Sequence, residues 1–160
     1  MQDNRVIIHF SKTDNFDCID YYLKHLIREA VKAALVHEGF EYDAEVSVTL
    51  CDNAYIKKIN RKFRGKNSAT DVLSFPMYDF SGDDEILLLD GECLTLGDII
   101  ISVERAEKQA REIGNTLNEE IVFLTVHSML HLLGYDHELG AEEEAKQIAA
   151  QKEIISRLDI

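Results

Sequence analysis

The stretch IVFLTVHSMLHLLG, residues 121–134, is apolar nearly all round. A helix without a polar face offers nothing to water, so it belongs inside a core with other elements packed around it. Two histidines interrupt this helix, and a third follows just past its end. HSMLHLLGYDH sets His127, His131 and His137 within eleven residues.

Residues at i and i+4 project from one face of a helix, so His127 and His131 can share a partner. Left unpartnered in a core, they would lose hydration with no return. Gly134 suits the left-handed position that ends a helix, and the chain can then swing His137 back toward the same point. Three converging neutral nitrogens describe a zinc-type site. Three protein ligands leave the fourth position open, the arrangement of a catalytic metal. A structural site needs a fourth ligand; Asp136 or Glu138 could be recruited, and no cysteine is near in sequence. His9, His25 and His37 lack such spacing and read as surface or packing residues.

Around that helix the chain alternates between strand and helix signals. Val6 to Phe10 is a short strand, and Ile19, Leu23, Leu26, Ile27, Ala30, Val31 and Ala34 recur at helical spacing between about Asp17 and His37. Val46, Val48 and Leu50 alternate as in a half-buried strand. Asp52 then caps a helix with Ile56, Ile59 and Phe63 expected on its inner face, ended by Gly65. VLSFP and LTLGDIIIS read as strands, with the acidic segment Asp79 to Asp90 between them as a surface loop or hairpin. Ser102 to Gly114 is helical, and TLNE at 116–119 is a capping box that opens the histidine helix. A last helix is expected to turn Ala145, Ile148, Ala149, Ile155 and Leu158 inward. The order βαβαββααα, in 160 residues of which 46% are hydrophobic, predicts one compact domain over residues 1–160. Its class is α/β of the α+β type: a small mixed sheet packed with about five helices, the histidine-rich, zincin-like helix in the core.

No run approaches the roughly eighteen apolar residues of a membrane span, and the N-terminus lacks a signal-peptide pattern, so a cytoplasmic protein with no membrane partner is expected. Cys18, Cys51 and Cys93 are scattered, odd in number and without a CxxC pair, which reads as reduced and mostly buried cysteine. The net charge of -13 argues at first against a polyanionic partner. Its distribution argues the other way. Lys57, Lys58, Arg61, Lys62, Arg64 and Lys66 place six of the seventeen basic residues in KKINRKFRGK, with no acid among them. Such a patch on an acidic body can bind RNA locally, or it can be a solvated helix face. Arg105, Lys108 and Arg111 alternate with Glu104, Glu107 and Glu112 and read as ordinary surface pairing.

The spacing H-x3-H-x2-G-x2-H is shared with metzincin peptidases, which carry glutamate directly after the first histidine as general base. Here that position is Ser128, whose hydroxyl cannot take a proton as a carboxylate does, and no methionine follows Met129 to form the Met-turn of those enzymes. HSMLHLLGYDH, with NRKFRGKNSATDVLSFP at 60–76 and LGDIIIS at 96–102, resembles instead the bacterial YbeY family of single-strand-specific metallo-endoribonucleases. One departure is Ser128, where that family commonly has glycine; a small side chain there alters packing without removing a ligand.

The resemblance implies that His127, His131 and His137 bind one metal ion, Zn2+, and that Arg64 is the functional arginine. It further implies single-stranded rRNA as substrate, in 16S rRNA 3′-end maturation and ribosome quality control, with the small ribosomal subunit or its proteins as partners and no nucleotide cofactor. The residues agree with it. Phosphodiester cleavage needs an activated nucleophile and a counter-charge on the phosphate oxygens, which a metal and a guanidinium supply. Attack by the RNA 2′-OH, with the metal acting mainly on the phosphate, is equally compatible. Lys57, Lys58, Arg61, Lys62 and Lys66 are the candidate substrate-binding residues. Asp71, Asp98 and Asp136 could orient imidazoles, or serve as caps and turn residues. Two other readings stand beside this one: a zinc-dependent peptidase, and a non-catalytic ribosome assembly factor with structural zinc.

Overall fold

The computed structural model describes residues 4–13, 16, 19–80 and 91–160. Four strands, β1 (Val6–Lys12), β2 (Ala44–Cys51), β3 (Val72–Pro76) and β4 (Leu94–Ser102), form one mixed sheet in the order β1-β2-β4-β3. β1 and β2 are parallel, as are β2 and β4, whereas β3 runs antiparallel to β4 at the edge. The helices are α1 (Tyr21–His37), α2 (Asn53–Arg64), α3 (Val103–Ile113), α4 (Leu117–Leu132) and α5 (Ala141–Ser156), with a 3-10 turn at His137–Leu139. This is the expected order, in an α/β domain with five helices. Residues 81–90 of the acidic segment and Cys18 lie outside the described residues.

Strand alternation divides the core. Val46, Val48, Leu50, Ile99 and Ile101 share one cluster with α1 and α4, whereas Cys51, Leu73 and Ile100 face Ile56 of α2 in a second. The helix α4 touches α1, α3, α5, β3 and β4, the surroundings its all-apolar surface requires. Burial pushes the Cys51 thiol up to about 12, so it packs as a small apolar side chain.

Three expectations need correction. The first helix begins at Tyr21 rather than near Asp17, because the Asp20 carboxylate accepts from Leu23 N and caps it there. On α2, Phe63 is not inward but 60% exposed; Asn60 is buried instead, donating to the Ser68 carbonyl and tying the following loop to the helix. On α5, Ala145, Ile148 and Ala149 are exposed, and the buried residues are Gln147, Ala150, Gln151 and Ile154. The glutamines go inward because a polar partner on α4 awaits them there.

Edge strands tolerate proline, whose missing N–H needs no ladder partner, and Pro76 ends β3 accordingly. Opposite it, Gly97 has φ +144°, where the register between β2 and β4 shifts by one residue. A Cβ there would lie 2.1 Å from the Phe75 carbonyl oxygen and 3.1 Å from a Leu132 methyl at the end of α4. We expect Gly97→Ala to lower unfolding free energy by about 2–4 kcal/mol, measured as a reduced urea midpoint. An unchanged midpoint would mean that the close approach of the strands is relaxed in solution.

Candidate metal centre

The site is assembled where α4 ends. Thr116 and Glu119 form the reciprocal capping box at its start, with bonds of 3.1 and 3.0 Å. At the other end Leu133 is the cap, Gly134 takes φ +110°, and Tyr135 N donates to Leu130 O while Gly134 N donates to His131 O. That pair of bonds is the Schellman closure, and it reverses the chain. Tyr135 anchors the reversal by donating its hydroxyl to Glu38 at the end of α1. Asp136 then accepts from Glu138 N and starts the 3-10 turn that faces His137 toward α4.

The ligand-type atoms of His127, His131 and His137 all lie within 4.8 Å of one another. His131 Nε2 and His137 Nδ1 are 3.1 Å apart. Two nitrogens on a tetrahedral zinc at normal bond lengths sit about 3.3 Å apart, so the set fits a single ion with small movements. Among the described residues these three alone make up the group, which leaves a coordination position open. Burial, and then the neighbouring imidazoles, push His131 down to about 4; burial also lowers His127. Both rings are therefore neutral at pH 7, the form that binds a metal.

The hydrogen-bond partners of His127 are amides. His127 Nδ1–H donates to Gln151 Oε1 at 2.7 Å, and Gln147 Nε2 lies 3.3 Å from the same nitrogen. A protonated Nδ1 leaves the Nε2 lone pair for an ion. Asp71 accepts from Val72 N and from Gln109, and Asp136 caps the 3-10 turn. Gln109 also donates to Glu120, a buried carboxyl on α4 whose pKa is raised by burial. Sequence reasoning missed Gln147 and Gln151, although a signal was present: they repeat the i, i+4 spacing of His127 and His131 on the helix that follows the third histidine. Ser128 is fully buried and accepts from the Ser74 hydroxyl at 2.8 Å, fastening α4 to β3.

The three rings open into a groove of about 700 Å³ lined also by Asp71, Ser74, Tyr78, Glu138 and Arg64. Arg64 is the only arginine or lysine among the described lining residues. It comes from the last turn of α2, which Gly65 closes at φ +69°, and its guanidinium stands 4.0 Å from Glu138. Lys57, Lys58, Arg61, Lys62 and Lys66 are exposed and do not line the groove. By helical spacing Lys57 and Arg61 share a side of α2 with Arg64, and Lys58 and Lys62 lie further round.

The model of the family described as endoribonuclease YbeY matches residues 9–159. The chain belongs to the YbeY family. The endoribonuclease YbeY of Clostridium acetobutylicum is 39% identical, covering 96% of this chain and 99% of its own length. That of Bacillus cereus is 47% identical over 81% of this chain and 83% of its own. A solution structure of a Thermotoga maritima protein superposes with a TM-score of 0.61 at 28% identity, covering 93% of this chain and 87% of that one. The YbeY assignment is thus carried by nearly the whole chain and includes the segment holding the three histidines.

Two outcomes follow from the centre's geometry. Replacing Gln151 with Leu removes the acceptor for His127 and should weaken metal binding by about ten- to a hundredfold, read by competition with a chromogenic chelator; equal affinity would remove Gln151 from the site. The second is pH dependence. The unfolded chain protonates His131 near 6.5 and the folded chain only near 4, so between these values the unfolded state holds more protons. Stability contributed by the neutral ring is complete above about 6.5 and is lost on acidification toward 4. The melting temperature of metal-free protein should fall through that window, and a flat profile would contradict burial of these rings.

Proposed function

We propose that the chain is a metal-dependent endoribonuclease that cuts single-stranded RNA. We place it in the cytoplasm, in 16S rRNA 3′-end maturation and ribosome quality control, working with the small ribosomal subunit or its proteins. Residues 1–160 act as one domain, and His127, His131 and His137 hold one Zn2+. One observation carries this reading: three imidazoles converge in a groove where Arg64 is the only lysine or arginine among the described lining residues, in a member of the YbeY family.

Imidazole ligands with an open position suit zinc, and a bound ion would supply Lewis-acid activation at the phosphodiester. The protein's own part is positioning. The guanidinium of Arg64 presents two parallel N–H donors to phosphate oxygens, and the phosphate displaces the long, exposed contact with Glu138. Asp71, Asp136 and Glu138 make the groove otherwise acidic, so a phosphate is held only where Arg64 and an ion flank it. Lys57, Lys58, Arg61, Lys62 and Lys66 extend the positive field along α2 for the flanking RNA. The peptidase alternative lacks its base, since Ser128 is buried and bonded to Ser74.

The test is cleavage of a labelled single-stranded RNA beside casein, with and without chelator. RNA alone should be cut, and chelation should stop it. His127→Ala should lose its equivalent of zinc in elemental analysis. Arg64→Ala should lose about a hundred- to a thousandfold in rate with metal content intact. Arg64→Lys keeps the charge but not the planar fork, so it should fail nearly as badly. A lysine variant at near wild-type rate would reduce Arg64 to a generic cation, and digestion of casein would favour the peptidase.

A further inference from the structure

The exposed ring of Phe63 has no part in the site just described. It stands in the middle of the acid-free basic stretch, 60% exposed, with Lys62 Nζ 5.2 Å from its centroid. Phe75 of β3 meets it edge-on, with centroids 5.6 Å apart. Met77, two residues on from Phe75, is 62% exposed. By strand alternation Leu73 and Phe75 face α2, whereas Ser74 faces α4 and the groove. An apolar strip and the histidine groove thus occupy the two faces of one edge strand, and Arg64, next to Phe63 in sequence, lines the groove.

Bare aromatic surface beside an edge strand is a liability for association unless it serves a partner. The neighbouring charge restricts that partner. Cations interleaved with an exposed ring suit a polyanion that carries flat apolar units, which is single-stranded nucleic acid. A duplex offers the same phosphates but keeps its base faces stacked on one another. We propose that Phe63, braced edge-on by Phe75, is a stacking platform for an unpaired base flanking the phosphodiester held at Arg64, and that it supplies the preference for single strands. This rests on the endoribonuclease reading above.

The experiment uses metal-loaded full-length protein and a single-stranded oligoribonucleotide containing 2-aminopurine, mixed by stopped flow so that binding precedes cleavage. Stacking should quench the fluorophore with wild type and with Phe63→Tyr, but not with Phe63→Leu, which keeps apolar bulk and loses the ring. The leucine variant should bind about ten- to a hundredfold more weakly, with unchanged metal content and melting temperature. On a base-free ribose-phosphate oligomer, wild type and leucine variant should bind alike. Equal binding and quenching by the leucine variant on the base-containing strand would overturn the platform while leaving the endoribonuclease reading intact. So would an equal loss on the base-free strand, which would mark a general packing defect. Metal-loaded wild type that neither binds nor cuts RNA would end both readings.

Discussion

The arrangement of this site follows from setting an ionisable pair, half-buried, on a helix whose other sides pack into the core. His127 and His131 sit on α4 amid Ile121, Val122, Leu124, Met129 and Leu130, all essentially inaccessible. Such surroundings hold the rings neutral, and a neutral imidazole in a core must have its ring nitrogens satisfied. One nitrogen of His127 is met by Gln151 and His131 is met by His137. The Schellman turn, the Asp136 cap and the anchoring of Tyr135 on Glu38 all serve to return His137 to that point.

What could be read from the residues alone follows the strength of the local signals. The capping box at Thr116, the apolar run and Gly134 each have a physical meaning that tertiary contacts seldom override, so α4 and the three converging histidines stood out. The sheet was recognisable because LTLGDIIIS and VLSFP are too apolar and β-branched to be anything else. Amphipathic helices were read less well. Ile148, expected inside, is exposed, and Gln151 is buried with its amide oxygen accepting from His127, a partner to which hydrophobic periodicity is blind. Phe63 failed in the same way. The inner side of α2 is taken by Ile56 and by Asn60 with its bond to Ser68, with Tyr55 and Ile59 packed partly against the same cluster.

Charge is partitioned with a comparable logic. A body of net charge -13 repels polyanions at long range, and the one acid-free cluster of cations is the five on α2 with Lys66 just past its end. The same acidity extends into the groove through Asp71, Asp136 and Glu138. The contact of Arg64 with Glu138 is exposed and long, and pairs of that kind contribute little to stability. It places the guanidinium beside Glu138 at the wall of the groove.

The edge strand β3 is where these features meet, and its place in the fold explains why one short segment, TDVLSFP, bears on so much. Asp71 turns the chain into the strand and ties it to α3 through Gln109. Ser74 fastens it to α4 beside the first histidine, and Phe75 braces the α2 face. Gly97 lets β3 approach β4 so closely that no other residue could stand there without displacing the Phe75 carbonyl. The strand thus forms one wall of the groove and also carries the Phe75 ring that meets Phe63. His127 and His131 are set on α4, packed into the core, and His137 on the 3-10 turn that follows, so two of the three imidazoles are placed by helix packing and the third by the Schellman turn and the Asp136 cap.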